Sequence, residues 1–333
     1  MGRIFSGIQP SGELHIGNYL GAVRRWVELQ HEHECFICIV DYHAITQDYD
    51  TAMLEARTHE MAVGLLAAGI DPDRSILFVQ SHVLEHTELA WVFTTLTPLG
   101  ELERMTQFKD KSQRQESVLA GLLLYPVLQA ADVLLYRAGL VPVGEDQVQH
   151  VELMREVARK FNARFGDYFP EPQAMIGPAK RILGLDGQAK MSKSLGNTIG
   201  ILEEPEQIWQ RLRPAMTDPA RVTRNDPGTP EICNIYALHQ YFSPPDTVQD
   251  VAHKCRTAGW GCLDCKRVLA TNMANAFAPI RERAASLAAH PERVRDILAA
   301  GAEKARAVAR DTMRDVRERM GFLPAAEEAR SGA

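Results

Sequence analysis

Two lysines and two serine hydroxyls stand within residues 190–194, which read Lys-Met-Ser-Lys-Ser. Gly184, Gly187 and Gly196 flank the segment, so we predict a mobile polar loop. An ammonium group donates hydrogen bonds in any direction and suits polyphosphate, and the hydroxyls add further donors. Because a solvated charged loop has the same composition, a phosphate site here needs support from a second group of residues.

Residues 9–18 form a second segment with suitable donors, directly after the first predicted strand. Gly12 and Gly17 carry no side chain, which lets a ligand approach the backbone, and the N-terminus of the following helix favours phosphate. His15 and Asn18 are three residues apart, so both side chains lie on one helical face and can donate to one phosphate. Such glycine-containing turns are common, and it is the two segments together that favour a phosphate site.

The elements that must position these segments alternate between strand and helix in the first half of the chain. Residues 3–8, 35–40 and 76–79 are predicted strands, and the continuous apolar run of the second is typical of a parallel strand buried on both faces. Helical periodicity spans residues 15–30. This alternation predicts an α/β fold, a Rossmann-like, doubly wound parallel sheet that binds ligands at the carboxyl ends of its strands.

The second half of the chain has a different pattern. After Gly196 the sequence predicts helices punctuated by prolines, with little strand signal, and residues 263–287 and 292–320 form two long helical stretches. We therefore expect a second, all-helical part.

Composition and charge set limits on function. The 333-residue chain carries a net charge of −6, which argues mildly against non-specific nucleic-acid binding but allows a local basic face. The N-terminal residues contain no long apolar run, so neither a secretory signal nor a membrane anchor is predicted. We expect a cytoplasmic protein.

The six cysteines fall into two groups. Cys35 and Cys38 lie on a predicted strand, where their odd separation sends them to opposite faces, and we predict that both are core residues. Four converging thiolates suit a tetrahedral zinc ion or a four-iron cluster, and their spacing does not choose between these and free thiols. The candidates, two of them in a turn-like segment, are Cys233, Cys255, Cys262 and Cys265.

One predicted helix carries a carboxylate among apolar residues. Tyr125, Gln129 and Asp132 recur at positions i, i+4 and i+7, so all three lie on one face. A buried Asp132 without a partner would be costly. It is therefore either a capping or surface residue, or an acceptor at the bottom of a pocket.

Two short motifs resemble a known enzyme class. His15-Ile-Gly-Asn18 resembles the HIGH signature, and residues 190–194 the KMSKS signature, of class I aminoacyl-tRNA synthetases, in the same order. Within this class the chain is similar to the bacterial tryptophanyl-tRNA synthetases over essentially its whole length, most clearly in segments 5–12, 100–109, 125–132 and 141–147. Asn18 replaces the last histidine of HIGH and keeps a hydrogen-bond donor.

The resemblance implies a tryptophan pocket in which Asp132 accepts the indole N–H. A single buried acceptor penalises a side chain that cannot donate, so phenylalanine would be rejected. The other residues implied to shape this pocket or to hold the α-ammonium group are Phe5, Gly7, His43, Tyr125, Gln129, Val141, Val143 and Gln147.

The resemblance also implies an ATP site, with Mg²⁺ bound to the nucleotide and no dedicated carboxylate cage. The residues implied to bind ATP are Gln9, Ser11, Gly17, Asn18, Lys111, Gly144, Asp146, Lys190, Met191, Ser192, Lys193 and Ser194. Those implied to act in the chemical step are His15, Asn18, Lys190, Ser192 and Lys193.

Domain organisation and partners follow from the same resemblance. Residues 1–183 would form the catalytic domain, 184–200 the KMSKS loop, and 201–333 a helical anticodon-binding domain whose last helix packs back on the first. The implied partners are tRNA(Trp), L-tryptophan, ATP and a second copy of the chain, with residues 100–111 near the subunit contact. Some family members hold a [4Fe–4S] cluster on a similar cysteine set, so a cluster is the first expectation and zinc the alternative.

Two other functions remain open from the sequence. The tyrosine-specific relatives share a similar Tyr, Gln and Asp arrangement, and a phenol can also donate to Asp132. A synthetase-like RNA-binding or redox-responsive regulator without catalytic activity is the second alternative. The intact signature residues of the two motifs argue against the regulator.

Overall fold

The structure is a computed structural model that describes residues 2–113, 117–177 and 182–324. The side chains of Lys111 and Ser194, both predicted to bind ATP, lie outside the described part. Neighbouring strands pair in parallel, in the order β3-β2-β1-β4-β5. The strands are β1 (Arg3–Ile8), β2 (Glu34–Ile39), β3 (Ser75–Val79), β4 (Leu140–Val143) and β5 (Gln173–Ile176).

Helices connect and flank these strands. Those of the first half are α1 (Ile16–Asn18), α2 (Arg24–Leu29), α3 (Asp41–Ala44), α4 (Leu54–Ala68), α5 (Glu85–Thr94), α6 (Leu99–Glu103), α7 (Thr106–Ser112), α8 (Ala120–Leu135) and α9 (Val148–Phe165). Those of the second half are α10 (Pro205–Leu212), α11 (Asn234–Phe242), α12 (Pro245–Arg256), α13 (Cys262–Ala288) and α14 (Pro291–Met320). The predicted α/β fold with a parallel sheet and a helical second half is confirmed.

The two faces of the sheet carry two separate hydrophobic cores. Cys35 belongs to one core and Cys38 to the other, and each side chain is at most 1% exposed. Alternation of side chains along β2 produces this division. The prediction that both cysteines are core residues is confirmed.

The order of the strands creates a crevice beside β1. The chain builds the sheet outward from β1 through β2 and β3, and then returns to add β4 and β5 on the other side. At such a switch point the connections leave in opposite directions, which opens a ligand site at the carboxyl ends of the two central strands.

The segment after β1 is helical without a break from Ile16 to Leu29, in agreement with the predicted stretch 15–30. Between α1 and α2, however, the helix contains a π-helical turn over Tyr19–Val23. A π turn adds a residue within a helix and is frequent at functional sites. Hydrophobic periodicity marks the helical stretch but does not reveal this extra residue.

The last helix, α14, lies against the edge strand β3 and against α5. Gly301 makes the approach possible, because a Cβ atom there would lie 1.8 Å from the carbonyl oxygen of Leu77. Farther along, the guanidinium of Arg317 donates to both carboxylate oxygens of Glu88 at 2.8 and 2.7 Å. The C-terminal helix thus covers an edge that would otherwise offer unpaired backbone groups.

In residues 2–113, 117–177 and 182–324, every helix is too short or too polar to cross a lipid bilayer.

Candidate active site

A cavity of about 670 Å³ opens at the switch point. The nine residues that were predicted to bind tryptophan all line it, as do Gln9 and Gly144 from the predicted ATP set. The structure therefore brings together residues from β1, α3, α8, β4 and the turn after β4. The nine are Phe5, Gly7, His43, Tyr125, Gln129, Asp132, Val141, Val143 and Gln147.

Asp132 forms the polar floor of this cavity. Its carboxylate is 1% exposed, and Gln80 Nε2 donates to Oδ1 at 2.7 Å. His86 Nδ1 lies 2.6 Å from the same oxygen, while His43 Nε2 lies 2.7 Å from Oδ2. Of the two accounts left open by the sequence, the structure excludes a surface or capping residue and supports a buried acceptor.

Several donors keep this buried carboxylate ionised. Burial alone would raise the pKa of Asp132, but the charge and hydrogen bond of His43, together with those of His86, hold it well below its usual range. An ionised carboxylate is an acceptor only. The floor of the cavity therefore recognises a donor.

Two residues near Tyr125 were missed from the sequence. Its hydroxyl donates to Gln107 Oε1 at 3.1 Å and lies 3.0 Å from Nε2 of the buried His150. Gln107 also lines the cavity. These partners come from α7 and α9. Gln107 lies within segment 100–109 and His150 three residues beyond segment 141–147, and these positions were the only signals available.

His15 caps the N-terminus of α1 and has a defined protonation state. Its Nδ1 accepts from the backbone N–H groups of Gly17 and Asn18 at 3.1 and 3.4 Å. Burial, followed by the positive charges of Lys193 and Lys190, lowers the pKa of His15 to about 4. The ring is therefore neutral near pH 7, and its proton resides on Nε2, where it can be donated to a ligand.

The KMSKS loop lies directly against α1. The N–H of Ile16 donates to the Ile199 carbonyl at 2.9 Å, and a Cβ atom on Gly17 would lie 3.2 Å from Cβ of Met191. Met191, predicted to bind ATP, is 4% exposed and belongs to a hydrophobic core. Its side chain anchors the loop, and Gly17 leaves the space for this contact.

The buried ammonium group of Lys193 lies next to the turn after β1. Its Nζ lies 3.5 Å from the position of a Cβ atom on Gly12, and within the described part of the chain it has no hydrogen-bond partner. Burial lowers the pKa of Lys193 to about 8, although the carboxylates of Glu60 and Glu13 oppose the shift. An unpartnered buried ammonium next to a glycine turn is suited to an anion that is not part of the protein.

The remaining residues of the predicted ATP set are spread around the loop. Lys190 Nζ lies 3.7 Å from Asp146 Oδ2, which connects the loop to the turn after β4. Ser11 is exposed, and Asn18 and Ser192 are partly buried near the start of α1 and in the loop. The predicted ATP residues thus surround the loop and one end of the cavity rather than sharing a single pocket.

Comparisons with known proteins agree with this geometry. Residues 2–278 match the family model "tRNA synthetases class I (W and Y)". The tryptophan--tRNA ligase of Deinococcus radiodurans is 56% identical over 328 residues, which cover 97% of this chain and 99% of that protein. That of Thermotoga maritima is 46% identical over 327 residues, covering 96% and 99%.

This chain belongs to the bacterial tryptophanyl family of class I tRNA synthetases. A solved structure of the Campylobacter jejuni tryptophanyl-tRNA synthetase, complexed with ADP and tryptophan, superposes with a TM-score of 0.88 at 37% identity. The match covers 96% of this chain and all of that one. The predicted family is confirmed, and the chain is a tryptophan–tRNA ligase by these relationships.

The loop of this synthetase is organised by a residue that the sequence analysis missed. Asn197 is 5% exposed; its Oδ1 accepts from the N–H of Ser192, and its Nδ2 donates to Asp186 Oδ2, both at 2.7 Å. This side chain ties the two ends of the loop together. An asparagine directly after a glycine in a polar loop was the only signal available.

The four candidate cysteines of the synthetase surround one small cavity of about 20 Å³. Cys262 and Cys265 lie in the first turn of α13, which corrects the prediction of a turn-like segment. Burial and the neighbouring cysteines raise the pKa of Cys265 to about 12. Among the described residues, however, no group of three or more His, Cys, Asp or Glu side chains is arranged to hold a metal ion.

The low pKa of Lys193 predicts an alkaline limit to activity. The ammonium is charged below pH 8 and neutral above it, so kcat/KM for ATP should fall roughly tenfold per pH unit above about pH 8. ATP–pyrophosphate exchange measured across this range tests the expectation. In Lys193→Arg the guanidinium stays charged, and the fall should move to higher pH; an unchanged profile in that variant would assign the limit to another group.

Proposed function

We propose that this synthetase activates tryptophan with ATP and then transfers it to tRNA, and that separate groups of residues bind the amino acid and the nucleotide. The observation that carries the proposal is the buried, ionised Asp132 at the floor of a cavity that Gln9 and Gly144 also line. Lys193 lies next to Gly12, and Lys190 lies next to Asp146, so the loop approaches the two turns that contain these residues. One end of the cavity recognises the amino acid, and the other contacts the nucleotide.

Tryptophan binds with its indole N–H directed at Asp132. Phe5, Val141 and Val143 provide apolar walls for the ring, and Tyr125 and Gln147, which line the same cavity, are proposed to hold the amino-acid end. The Tyr125 hydroxyl, oriented by Gln107 and His150, is suited to accept from the α-ammonium group. This leaves the carboxylate of tryptophan facing the nucleotide.

The reaction is attack of that carboxylate on the α-phosphorus of ATP, with pyrophosphate as the leaving group. Such transfer depends mainly on positioning and on stabilising charge in the transition state. His15 Nε2–H and the Asn18 amide donate to the phosphates, and Lys193 neutralises the charge that develops on pyrophosphate. Mg²⁺ arrives with the nucleotide and supplies further positive charge.

Contacts across the loop support movement during this reaction. Lys190 is 61% exposed and its pairing with Asp146 is long at 3.7 Å, so it contributes little stability and can exchange Asp146 for phosphate. Asp146 and Gly144 would then be available to the ribose. Residues 184–200 would close over ATP as a unit, because Asn197 holds their ends together.

Amino-acid-dependent ATP–pyrophosphate exchange tests the proposal against its alternatives. Exchange with tryptophan and at least about 100-fold weaker exchange with tyrosine is expected, because the relatives at 46–56% identity are tryptophan--tRNA ligases. Preference for tyrosine would assign the chain to the tyrosine-specific enzymes. Exchange with neither would favour the non-catalytic regulator.

The helical second half is proposed to recognise the anticodon of tRNA(Trp). It follows the KMSKS loop directly, and α14 returns to the first half through contacts with β3 and α5. The boundaries 1–183, 184–200 and 201–333 are retained for this proposal, as is a cytoplasmic location, where tRNA and ATP are available.

A homodimer is proposed from exposed apolar side chains on α5 and α6. Trp91 is 70% exposed and Leu99 is 60% exposed, and both flank the segment 100–111 that the family resemblance places near the subunit contact. Removing such large apolar side chains from water would favour association. A second copy of the chain would bury them.

The four cysteines are proposed to bind a [4Fe–4S] cluster, with zinc as the alternative. Their convergence on one cavity supports a shared ligand, and the Arg221 guanidinium, 3.9 Å from Cys255 Sγ, would offset thiolate charge. Because burial raises the pKa of Cys265, a bound metal would be needed to keep this thiol deprotonated. The role would be to stiffen the helical half.

Metal analysis of anaerobically purified protein tests this site without relying on activity. A cluster predicts a brown protein with iron and sulfide, lost in Cys262→Ser but retained in Cys35→Ser, whose cysteine lies in the sheet core. Zinc at about one equivalent would support the alternative. Protein without either metal, in both the native and the Cys35→Ser forms, would leave four free thiols and refute a metal site.

A further inference from the structure

The acceptor at the floor of the tryptophan pocket is held by residues outside that pocket. Asp132 Oδ1 receives the Gln80 amide and His86 Nδ1, and neither residue lines the cavity. Gln80 and His86 are fully buried, in the 3₁₀ turn after β3 and in α5. They were not among the residues predicted from the sequence.

The proton positions in this network follow from its acceptors. Because the ionised Asp132 can only accept, the proton of His86 resides on Nδ1. The Tyr136 hydroxyl lies 2.8 Å from Nε2 of the same ring, where it donates to the neutral imidazole or accepts from the charged one, and it holds the ring in this orientation in both states. Tyr136 is itself fully buried and stacked between Phe5 and Phe36, with ring centroids 5.6 and 4.4 Å apart.

The orientation of Gln80 is also fixed. Its Oε1 accepts from the backbone N–H of Tyr42 at 3.1 Å, so a flip of the amide would lose that bond and turn an oxygen toward the carboxylate. Gln80 therefore presents Nε2 to Asp132, and Oδ1 of Asp132 accepts from both Gln80 and His86.

The Asp132 carboxylate has one acceptor position left for a ligand. A carboxylate offers about four acceptor positions, two on each oxygen. Gln80 and His86 occupy both positions on Oδ1, and His43 occupies one on Oδ2. A single acceptor position is left, on the oxygen that His43 contacts, and His43 itself lines the cavity.

We infer that Gln80, His86 and Tyr136 are positioning residues that saturate Oδ1 of Asp132 and leave one acceptor on Oδ2 for a single ring N–H. This inference rests on the proposed role of Asp132 in binding tryptophan. It extends that role to three residues that do not touch the substrate. Without them the carboxylate can rotate or take up a proton, and a ring without a donor becomes acceptable.

The test compares tryptophan with benzothienylalanine, in which sulfur replaces the indole N–H. The ratio of kcat/KM for the two amino acids in ATP–pyrophosphate exchange should be at least about 100 in the native enzyme. In Gln80→Met and in His86→Leu the ratio should fall about tenfold, chiefly through a higher KM for tryptophan. His86→Asn, whose amide can replace Nδ1–H, should restore most of the ratio.

Gln30→Met is the matched control. Gln30 is 5% exposed, and its amide bonds Gly69 and Asp71 in another part of the same half. Its loss should reduce stability without changing the ratio. If Gln80→Met and His86→Leu change the ratio no more than Gln30→Met, the inference is refuted.

Two further variants separate the possible failures. Tyr136→Phe removes one hydroxyl and keeps the stacked ring, so it remains informative if the larger changes prevent folding; a ratio lowered about threefold supports the inference, and an unchanged ratio there refutes it. If Asp132→Asn collapses the ratio while the three positioning variants do not, only the inference fails. If the ratio of kcat/KM values is also unchanged in Asp132→Asn, the proposed role of Asp132 is refuted.

Discussion

Lys193→Met should lower the rate constant of tryptophanyl-adenylate formation about 100- to 1,000-fold, as measured in single-turnover experiments. The ammonium contacts pyrophosphate most strongly as negative charge develops on it, so its loss removes an interaction of the transition state. Methionine preserves the length of the side chain, which is buried against the turn after β1 and has no hydrogen-bond partner within the described residues. The affinity for tryptophan without ATP should change less than about twofold.

Lys254→Met is the control for this variant. Lys254 is a lysine of α12 that pairs with Asp250 at 2.6 Å, so its replacement removes the same charge outside the loop and the cavity. Its adenylation rate should match that of the native enzyme. An unchanged rate in Lys193→Met, or an equal loss of tryptophan affinity and rate, would contradict the assignment.

Asp132→Asn should lower kcat/KM for tryptophan about 100- to 1,000-fold. Hydrogen bonds to a charged group contribute about 1.5–3 kcal/mol each, and the amide replaces one acceptor with an N–H₂ group that faces other donors. Both the indole contact and the network from Gln80 and His86 would be disturbed. Exchange kinetics at varied tryptophan concentration measure the effect, which should appear mainly in KM.

A buried aspartate elsewhere provides the comparison. Asp218 is 3% exposed and accepts from the N–H groups of Ala220 and Thr229 at 2.8 and 2.7 Å. Asp218→Asn should destabilise the fold to a similar extent and leave kcat/KM for tryptophan unchanged. Equal losses in the two variants would mean that Asp132 acts only through stability.

The fold was predictable because its signals are local. The continuous apolar run of β2 and the alternation of strands and helices were sufficient for a parallel sheet, and the odd spacing of Cys35 and Cys38 placed them on opposite faces. The π turn after α1 was not predictable, since it changes the helical register without changing its hydrophobic pattern.

The site was only partly predictable, because its supporting contacts join distant elements. The family motifs supplied residues that line the cavity, but Gln80 and His86 lie 52 and 46 residues from Asp132 in sequence. Their pairing arises when β3 and α5 pack beside α8. Asn197 was missed for a related reason, since its role depends on how the loop folds back on itself.

For the four candidate metal ligands, the residues could be named from the sequence but the metal could not. The sequence predicted that they form one site, and all four line one cavity, but in the described part of the chain they are not arranged to hold a metal ion. Spacing could not choose a metal, since zinc and iron–sulfur sites use the same thiolates. The bound metal therefore remains a prediction.

A crystal structure with tryptophan and a non-hydrolysable ATP analogue tests the central claim most directly. We predict the indole nitrogen within about 3 Å of Asp132 Oδ2, with Oδ1 still bound by Gln80 and His86, and Lys193 Nζ within about 3 Å of a β- or γ-phosphate oxygen. An indole nitrogen bound elsewhere, or a Lys193 side chain directed away from the phosphates, would contradict the account.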